Sequence, residues 1–367
     1  MTMSFPELDE TDVQAVVNVL RSGRLALGPQ SNEFEKSIAR YVGVEHAIAV
    51  SSGTAALHLS VKALGIGPGD EVIVPSFTFA ASVNCFLYEG AIPVFVDIEP
   101  DTYNLDPLDV ERKITSRTKA IMVVDVFGHP AEWDEILRIS GKHGLKVIDD
   151  SCEALGAAFK GRRLGSFGDA GAFAFYPNKQ MTTGEGGIVV TNDDGVARIC
   201  RSLRNQGRAE MGSWLEHERL GYNYRMSEMS AALGVSQLQR IEEFLIKREQ
   251  VAGSYTERLR SFDWLRPPIV RPHVRMSWFV YVVTLNKGLT RDEVIRRLED
   301  QGIPARGYFS PIHLQPYIRD LVKTEVNELP VTESVAERTL ALPFHNRLTE
   351  EQVDRVVSAL EAAVEQR

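Results

Sequence analysis

Between residues 46 and 191 the chain alternates short β-rich runs with longer helical stretches, and few folds can absorb that rhythm. The runs are 46–50, 71–75, 93–98, 119–127, 146–150, 171–176 and 187–191, with helical periodicity between several of them, as at 54–64 and 133–143. Parallel strands need long crossovers, usually through a helix. The pattern therefore predicts an α/β chain built on a large, mostly parallel sheet of seven strands.

Beyond the sheet, Leu233, Val235, Leu238, Ile241 and Leu245 recur at helical spacing with charges between them. This predicts one long amphipathic helix over about 230–260. A strand at 278–285 and a helix opening at Thr290 follow. Thr290 with Glu293, and Thr349 with Gln352, have the spacing of capping boxes. The chain thus divides into a large domain, 1–250, with an N-terminal segment and the linking helix, and a smaller C-terminal α/β domain, 251–367. The Pro267-Pro268 turn suits entry into the second.

Composition narrows the function. A net charge of −9 argues against nucleic-acid binding. No apolar run approaches the ~20 residues needed to cross a bilayer, so no membrane association is expected. The N-terminus lacks the basic and apolar regions of a signal peptide. The cysteines, Cys85, Cys152 and Cys200, are odd in number and far apart, without CxxC or Cys/His ligand spacing. No metal site is expected, and a reducing cytoplasm is.

Four segments carry chemistry. Ser51-Ser52-Gly53-Thr54-Ala55-Ala56 follows a strand and opens a helix, where free N–H groups form an anion site; alone it reads equally as a capped helix start. Asp150 closes the 146–150 run, at the strand end where open α/β sheets place ligands. Pro75-Ser76-Phe77-Thr78-Phe79 brings aromatics to another strand end, for stacking or for the core. In Phe173-Ala174-Phe175-Tyr176-Pro177-Asn178-Lys179, an apolar run delivers one lysine to a Thr/Gly-rich loop. A lysine so placed is a nucleophile candidate rather than a solvated surface charge. Anion cradle, carboxylate, aromatic face and amine together are what pyridoxal phosphate requires. The GxGxxG fingerprint of a nicotinamide enzyme and the P-loop are both absent.

The same residues resemble a family, the DegT-type (DegT/DnrJ/StrS) sugar-nucleotide aminotransferases, which are fold-type I pyridoxal phosphate enzymes. The resemblance runs from Leu27-Gly28-Pro29 to the C-terminal helix. It rests on Ser52-Gly53-Thr54-Ala55-Ala56-Leu57, Gly69-Asp70-Glu71-Val72-Ile73, Gly161-Arg162-Arg163-Leu164-Gly165-Ser166-Phe167-Gly168-Asp169, the Lys179 loop, and Gly221-Tyr222-Asn223-Tyr224-Arg225-Met226. It implies roles by position. Lys179 links to the cofactor and shuttles the proton. Asp150 pairs with the ring nitrogen, Phe79 stacks on the ring, and Gly53, Thr54 and Ala55 hold the phosphate. Asn223 reaches the phosphate of a neighbouring subunit, implying a homodimer with shared sites. His313 falls where the family lines its sugar pocket, and Arg225 is a candidate counter-charge for the substrate, as are Arg204, Arg208 and Arg306.

Two positions depart from the common pattern of the family. Ala174 stands where many members bind the phosphate through serine. Glu153 stands where many place glutamine near the ring hydroxyl, so a shared proton between Glu153 and that hydroxyl is expected. Lys179 favours transamination over the dehydratases that carry histidine there. L-Glutamate is the implied donor and a nucleotide-linked keto-6-deoxy sugar the acceptor. The Glu185-Gly186-Gly187 loop ending resembles that of enzymes acting at carbon 4 of the sugar, and Asn178-Lys179 and Gly221-Tyr222-Asn223-Tyr224-Arg225 resemble segments of GDP-perosamine synthases and related 4-aminotransferases. Amination at carbon 3, an inosose substrate, or a non-catalytic regulator that keeps the cofactor are the alternatives.

Overall fold

The computed structural model describes residues 1–209 and 216–365. All seven runs between 46 and 191 form strands of one sheet: β1 (His46–Val50), β2 (Glu71–Pro75), β3 (Ile92–Val96), β4 (Thr118–Val124), β5 (Lys146–Asp150), β6 (Ala170–Ala174) and β7 (Gly187–Thr191). Their spatial order is β1-β7-β6-β5-β4-β2-β3. Five of the strands pair in parallel, and β7 runs antiparallel to both β1 and β6. Buried on both faces, these strands are nearly continuous in apolar residues, as parallel sheets must be.

Helices cover the faces. Two of them precede the sheet, α1 (Glu10–Ser22) and α2 (Pro29–Val42). Within the run of strands lie α3 (Gly53–Ala63) and α4 (Trp133–His143), along with the shorter helices Ala81–Leu87 and Pro107–Arg112. The helix expected over 230–260 is instead two, α5 (Glu228–Gln239) and α6 (Ile241–Leu259). Arg240 leaves helical geometry between them, at φ −109°, ψ 8°. Its guanidinium reaches Asp9 at 2.6 Å and Asp12 at 2.5 Å beside α1. The apolar period continues across the break, which is why sequence alone merges the two helices.

A second sheet lies C-terminal to α6: β8 (Leu265–Arg266), β9 (Tyr281–Leu285) and β10 (Thr339–Leu342), all antiparallel, in that order. The helices α7 (Arg291–Asp300) and α8 (Glu350–Glu365) accompany it. Thr290 precedes α7 but makes no side-chain cap bond, and Glu293 turns to Arg297 instead. The Thr349–Gln352 box does form, with bonds of 3.1 and 3.3 Å. Four expected strands stop or start inside their apolar runs, two of them by three residues. Of those two, β4 ends at Val124 because Phe127 takes φ +58°, and β9 starts at Tyr281 after Trp278 at φ +53°. Both left-handed residues are fixed by long-range bonds described below.

Candidate active site

The carboxyl ends of the parallel strands open on one cavity of about 340 Å³. Ser52, Gly53 and Thr54 follow β1, and Thr78 and Phe79 follow β2. Val124, Asp150 and Ala174 end β4, β5 and β6, while Gly186 precedes the reversed β7. Phe279, Tyr308 and Phe309 close the cavity from the C-terminal region. Ligands of open α/β sheets bind at this edge.

The backbone beside the cavity is packed too closely for larger residues. A Cβ on Gly53 would lie 2.6 Å from Ala174 Cβ, and one on Gly187 would lie 2.3 Å from Ser52 O. This draws the start of α3 against the ends of β6 and β7. The Ser52 hydroxyl accepts the Ala55 N–H at 3.1 Å and so caps the helix. Gly53 and Thr54, by their position in the first turn, keep N–H groups without intrahelical partners. Ala55 does not line the cavity and its N–H is committed to the cap. The anion cradle therefore narrows to Gly53 and Thr54, with Asn178 beside them. Asn178 lines the cavity, and its buried Oδ1 has no hydrogen-bond partner. Of the two replacements open for the absent serine at Ala174, Thr183 is turned away: its hydroxyl donates to Glu185 O at 2.8 Å.

Asp150 is buried. Ser82 Oγ donates to its Oδ2 at 2.6 Å, the Cys152 N–H to its Oδ1 at 3.2 Å, and Thr78 Oγ1 lies 2.8 Å from Ser82 Oγ. Sequence reasoning missed Thr78 and Ser82; only Thr78, just after a strand end, carried a local signal. Phe79 is 64% exposed at the cavity mouth, whereas Phe77 is fully buried, so the two aromatics of that segment divide between ligand face and core.

Lys179 projects into the cavity with its Nζ 3.9 Å from the Phe279 ring centroid and 3.6 Å from Glu153 Oε1. Glu153 Oε2 accepts the Phe127 N–H at 3.0 Å, which helps hold Phe127 in its left-handed turn. Burial pushes the Glu153 carboxyl above its usual range, and the charge of Lys179 opposes that push.

Besides Ala55, three expected site residues are not brought to this cavity. His313 is fully buried: its Nδ1 lies 2.6 Å from Ser76 Oγ and its Nε2 3.3 Å from Glu333 Oε1. It does not line this cavity and is not an exposed loop histidine; it links the end of β2 to the C-terminal region. Asn223 is exposed outside the cavity, in a bridge with Asn205. Arg225 donates to Asn205 Oδ1 at 2.8 Å. Nor do Arg204, Arg208 and Arg306 line the cavity; Arg204 pairs with Glu35, and Arg306 with Glu299.

The residues fit pyridoxal phosphate. Free N–H groups await an anion, a buried carboxylate awaits a basic nitrogen, an open aromatic face borders the cavity, and a primary amine points inward. This fold and site define a pyridoxal phosphate-dependent transferase of fold type I. The comparisons with known proteins agree, and the chain belongs to the DegT/DnrJ/EryC1/StrS aminotransferase family, whose profile matches residues 6–361. It is 42% identical to the GDP-perosamine synthase of Caulobacter vibrioides, over 98% of this chain and 97% of that protein. It is 38% identical to the dTDP-3-amino-3,4,6-trideoxy-alpha-D-glucose transaminase of Streptomyces venezuelae, over 96% and 91%. The structure of Helicobacter pylori PseC, an aminotransferase of pseudoaminic acid biosynthesis, superposes with a TM-score of 0.95 at 30% identity, covering 100% and 99% of the two chains. The protein is a pyridoxal phosphate-dependent sugar aminotransferase. No described helix is long and apolar enough to cross a membrane.

Proposed function

We propose that this enzyme moves the amino group of L-glutamate onto carbon 4 of a nucleotide-linked 4-keto-6-deoxy hexose, in the cytoplasm, as a homodimer whose copies share their sites. The observation that carries the reading is the convergence of Lys179, Asp150, Gly53 and Thr54 on one cavity in a chain 42% identical to a GDP-perosamine synthase. The Glu185-Gly186 segment lining that cavity supports carbon 4.

When bound, pyridoxal phosphate supplies an electron sink beside the carbon–nitrogen bond being remade. Gly53 and Thr54 would hold its phosphate through their N–H groups, with the Asn178 amide NH2 as a further donor, and Phe79 would cover one face of its ring. Asp150 would hold its ring nitrogen, with Ser82 keeping that carboxylate oriented. Lys179 supplies the amine and, once free, carries the proton between carbons. Glu153 stands beside that amine as a buried carboxyl. Phe279, Tyr308 and Phe309 exclude water from the reacting end.

A panel of 4-keto and 3-keto nucleotide sugars, with product analysis, tests the assignment. Turnover of the 4-keto members is expected, and turnover of only the 3-keto members would move the reading to carbon 3, the position in the name of the S. venezuelae relative. Glutamate should bleach the cofactor's visible band; a band that glutamate leaves unchanged would overturn it as the donor. Lys179→Ala should lower turnover by about 1,000-fold or more, and a variant near parental activity would remove Lys179 from the chemistry.

A further inference from the structure

Arg248 lies on α6 and is only 3% exposed. Burying a guanidinium costs several kcal/mol unless it finds partners. Burial pulls its ionisation down to about 10, which leaves it charged at neutral pH. Its bonds go to main-chain carbonyls rather than to a carboxylate. Nη1 donates to Trp278 O at 2.9 Å and Phe279 O at 3.3 Å, and Nη2 donates to Lys179 O at 3.0 Å.

The next residue of α6 grips the same segment. Glu249 Oε2 accepts Trp278 Nε1–H at 2.7 Å. Trp278 itself is held at φ +53°, a conformation that bulky residues adopt only when surroundings impose it. Past that turn, the Phe279 N–H donates to Phe127 O at 3.1 Å, and the Phe279 ring comes to rest 3.9 Å from Lys179 Nζ. One guanidinium thus holds both the main chain that carries the amine and the main chain that carries the ring facing it.

We propose that Arg248 is a positioning residue for the reaction: its fork ties Lys179 and Phe279 to one helix and so fixes the direction in which the amine enters the cavity. The ring attracts an ammonium but offers it no hydrogen bond, so Nζ stays available to the reacting atoms. Displacement of a reacting group by about 1 Å can cost a hundredfold in rate.

The inference rests on Lys179 being the reacting amine, which Lys179→Ala tests by itself. Two variants of the holoenzyme test the rest. Arg248→Lys keeps the charge and loses the fork; Phe279→Leu keeps the carbonyl and loses the ring. Turnover is counted per site trapped on Lys179 by borohydride, and the bound cofactor is titrated by absorbance against pH. For Arg248→Lys, kcat should fall about 10- to 100-fold with KM within about threefold, and the titration midpoint should move by at least about half a unit. Phe279→Leu should show the same signature, and the double variant should be no worse than the poorer single one, because both act through one orientation. An Arg248→Lys protein that melts earlier yet keeps parental kcat per trapped site and a parental titration would overturn the proposal, as would losses that simply add. Should Arg248→Lys not fold, Phe279→Leu decides alone: the signature supports the proposal, and parental values sink it.

Discussion

Glu153 and Lys179 face each other across 3.6 Å inside the cavity, and that pair governs where the site keeps its protons. Burial raises the Glu153 carboxyl and the Lys179 charge opposes that push, so the site sets a buried carboxyl beside an amine that must be freed and recaptured. Glu153→Gln removes the charge while its amide oxygen can still accept the Phe127 N–H. We expect little change in stability and a downward move of about one unit in the absorbance–pH midpoint of the bound cofactor, since an anionic neighbour no longer opposes ionisation. An unchanged midpoint would remove Glu153 from the proton balance of the site. Lys179, Asp150, Gly53, Thr54 and Phe79 were legible because each stands in a short segment joining a strand end to a loop or helix. Ser82 and Arg248 were not. The Ser82–Asp150 bond spans 68 residues of sequence and the Arg248–Lys179 bond 69, and neither leaves a local mark.

The ends of β4 and β5 are joined behind Asp150 by a second acidic group. Asp125 and Asp149 are fully buried, and Ser151 Oγ lies 3.0 Å from one and 2.6 Å from the other. A hydroxyl has one proton to donate, so the second contact calls for a proton on a carboxyl. Burial raises both carboxyls, each pushed further by a neighbouring aspartate. The folded pair therefore holds a proton that the unfolded chain releases near pH 4. The stability from that proton is complete below the unfolded value and is lost as pH rises through the raised folded ones. Asp125→Asn mimics the protonated acid: its carbonyl can still accept from the Ala131 N–H and Trp133 Nε1–H, and its amide can donate toward Asp149. Relative to the parent, this variant should gain up to about 1.4 kcal/mol per pH unit, read from thermal melts between about pH 5 and 8. A constant difference across that range would show that the pair carries no excess proton. The strands themselves were legible as apolar runs between turns. Their ends at Phe127 and Trp278 were not, because tertiary bonds impose those left-handed residues on otherwise strand-like sequence.

At the scale of the whole molecule, the sheet order and the seating of the C-terminal region could not be read from the chain. His313 meets Ser76 across 237 residues, and Asp97 caps the N–H groups of Val331 and Thr332 from a similar distance. Such pairs have no periodicity to betray them. The cavity also shows why one copy would be a poor fit to the proposed reactants. Among the described residues Lys179 is the one cation lining it, against Asp150, Glu153 and Glu185. A nucleotide diphosphate, a dicarboxylate donor and a phosphorylated cofactor are all anions. Asn223 and Arg225 lie outside this cavity, where the proposed dimer would turn them toward the site of the other copy. Hybrid dimers separate this arrangement from a self-sufficient site. Lys179→Ala and Asn223→Ala each damage both sites of a homodimer, but a mixed dimer with shared sites concentrates both lesions in one site and leaves the other native. Unfolding and refolding the two variants together at equal amounts should restore about a quarter of the native sites, because half of the random dimers are mixed and each has one intact site of two. Mixed samples no more active than the average of the two variants alone would place Asn223 outside the partner's site and leave each copy to bind its anions unaided.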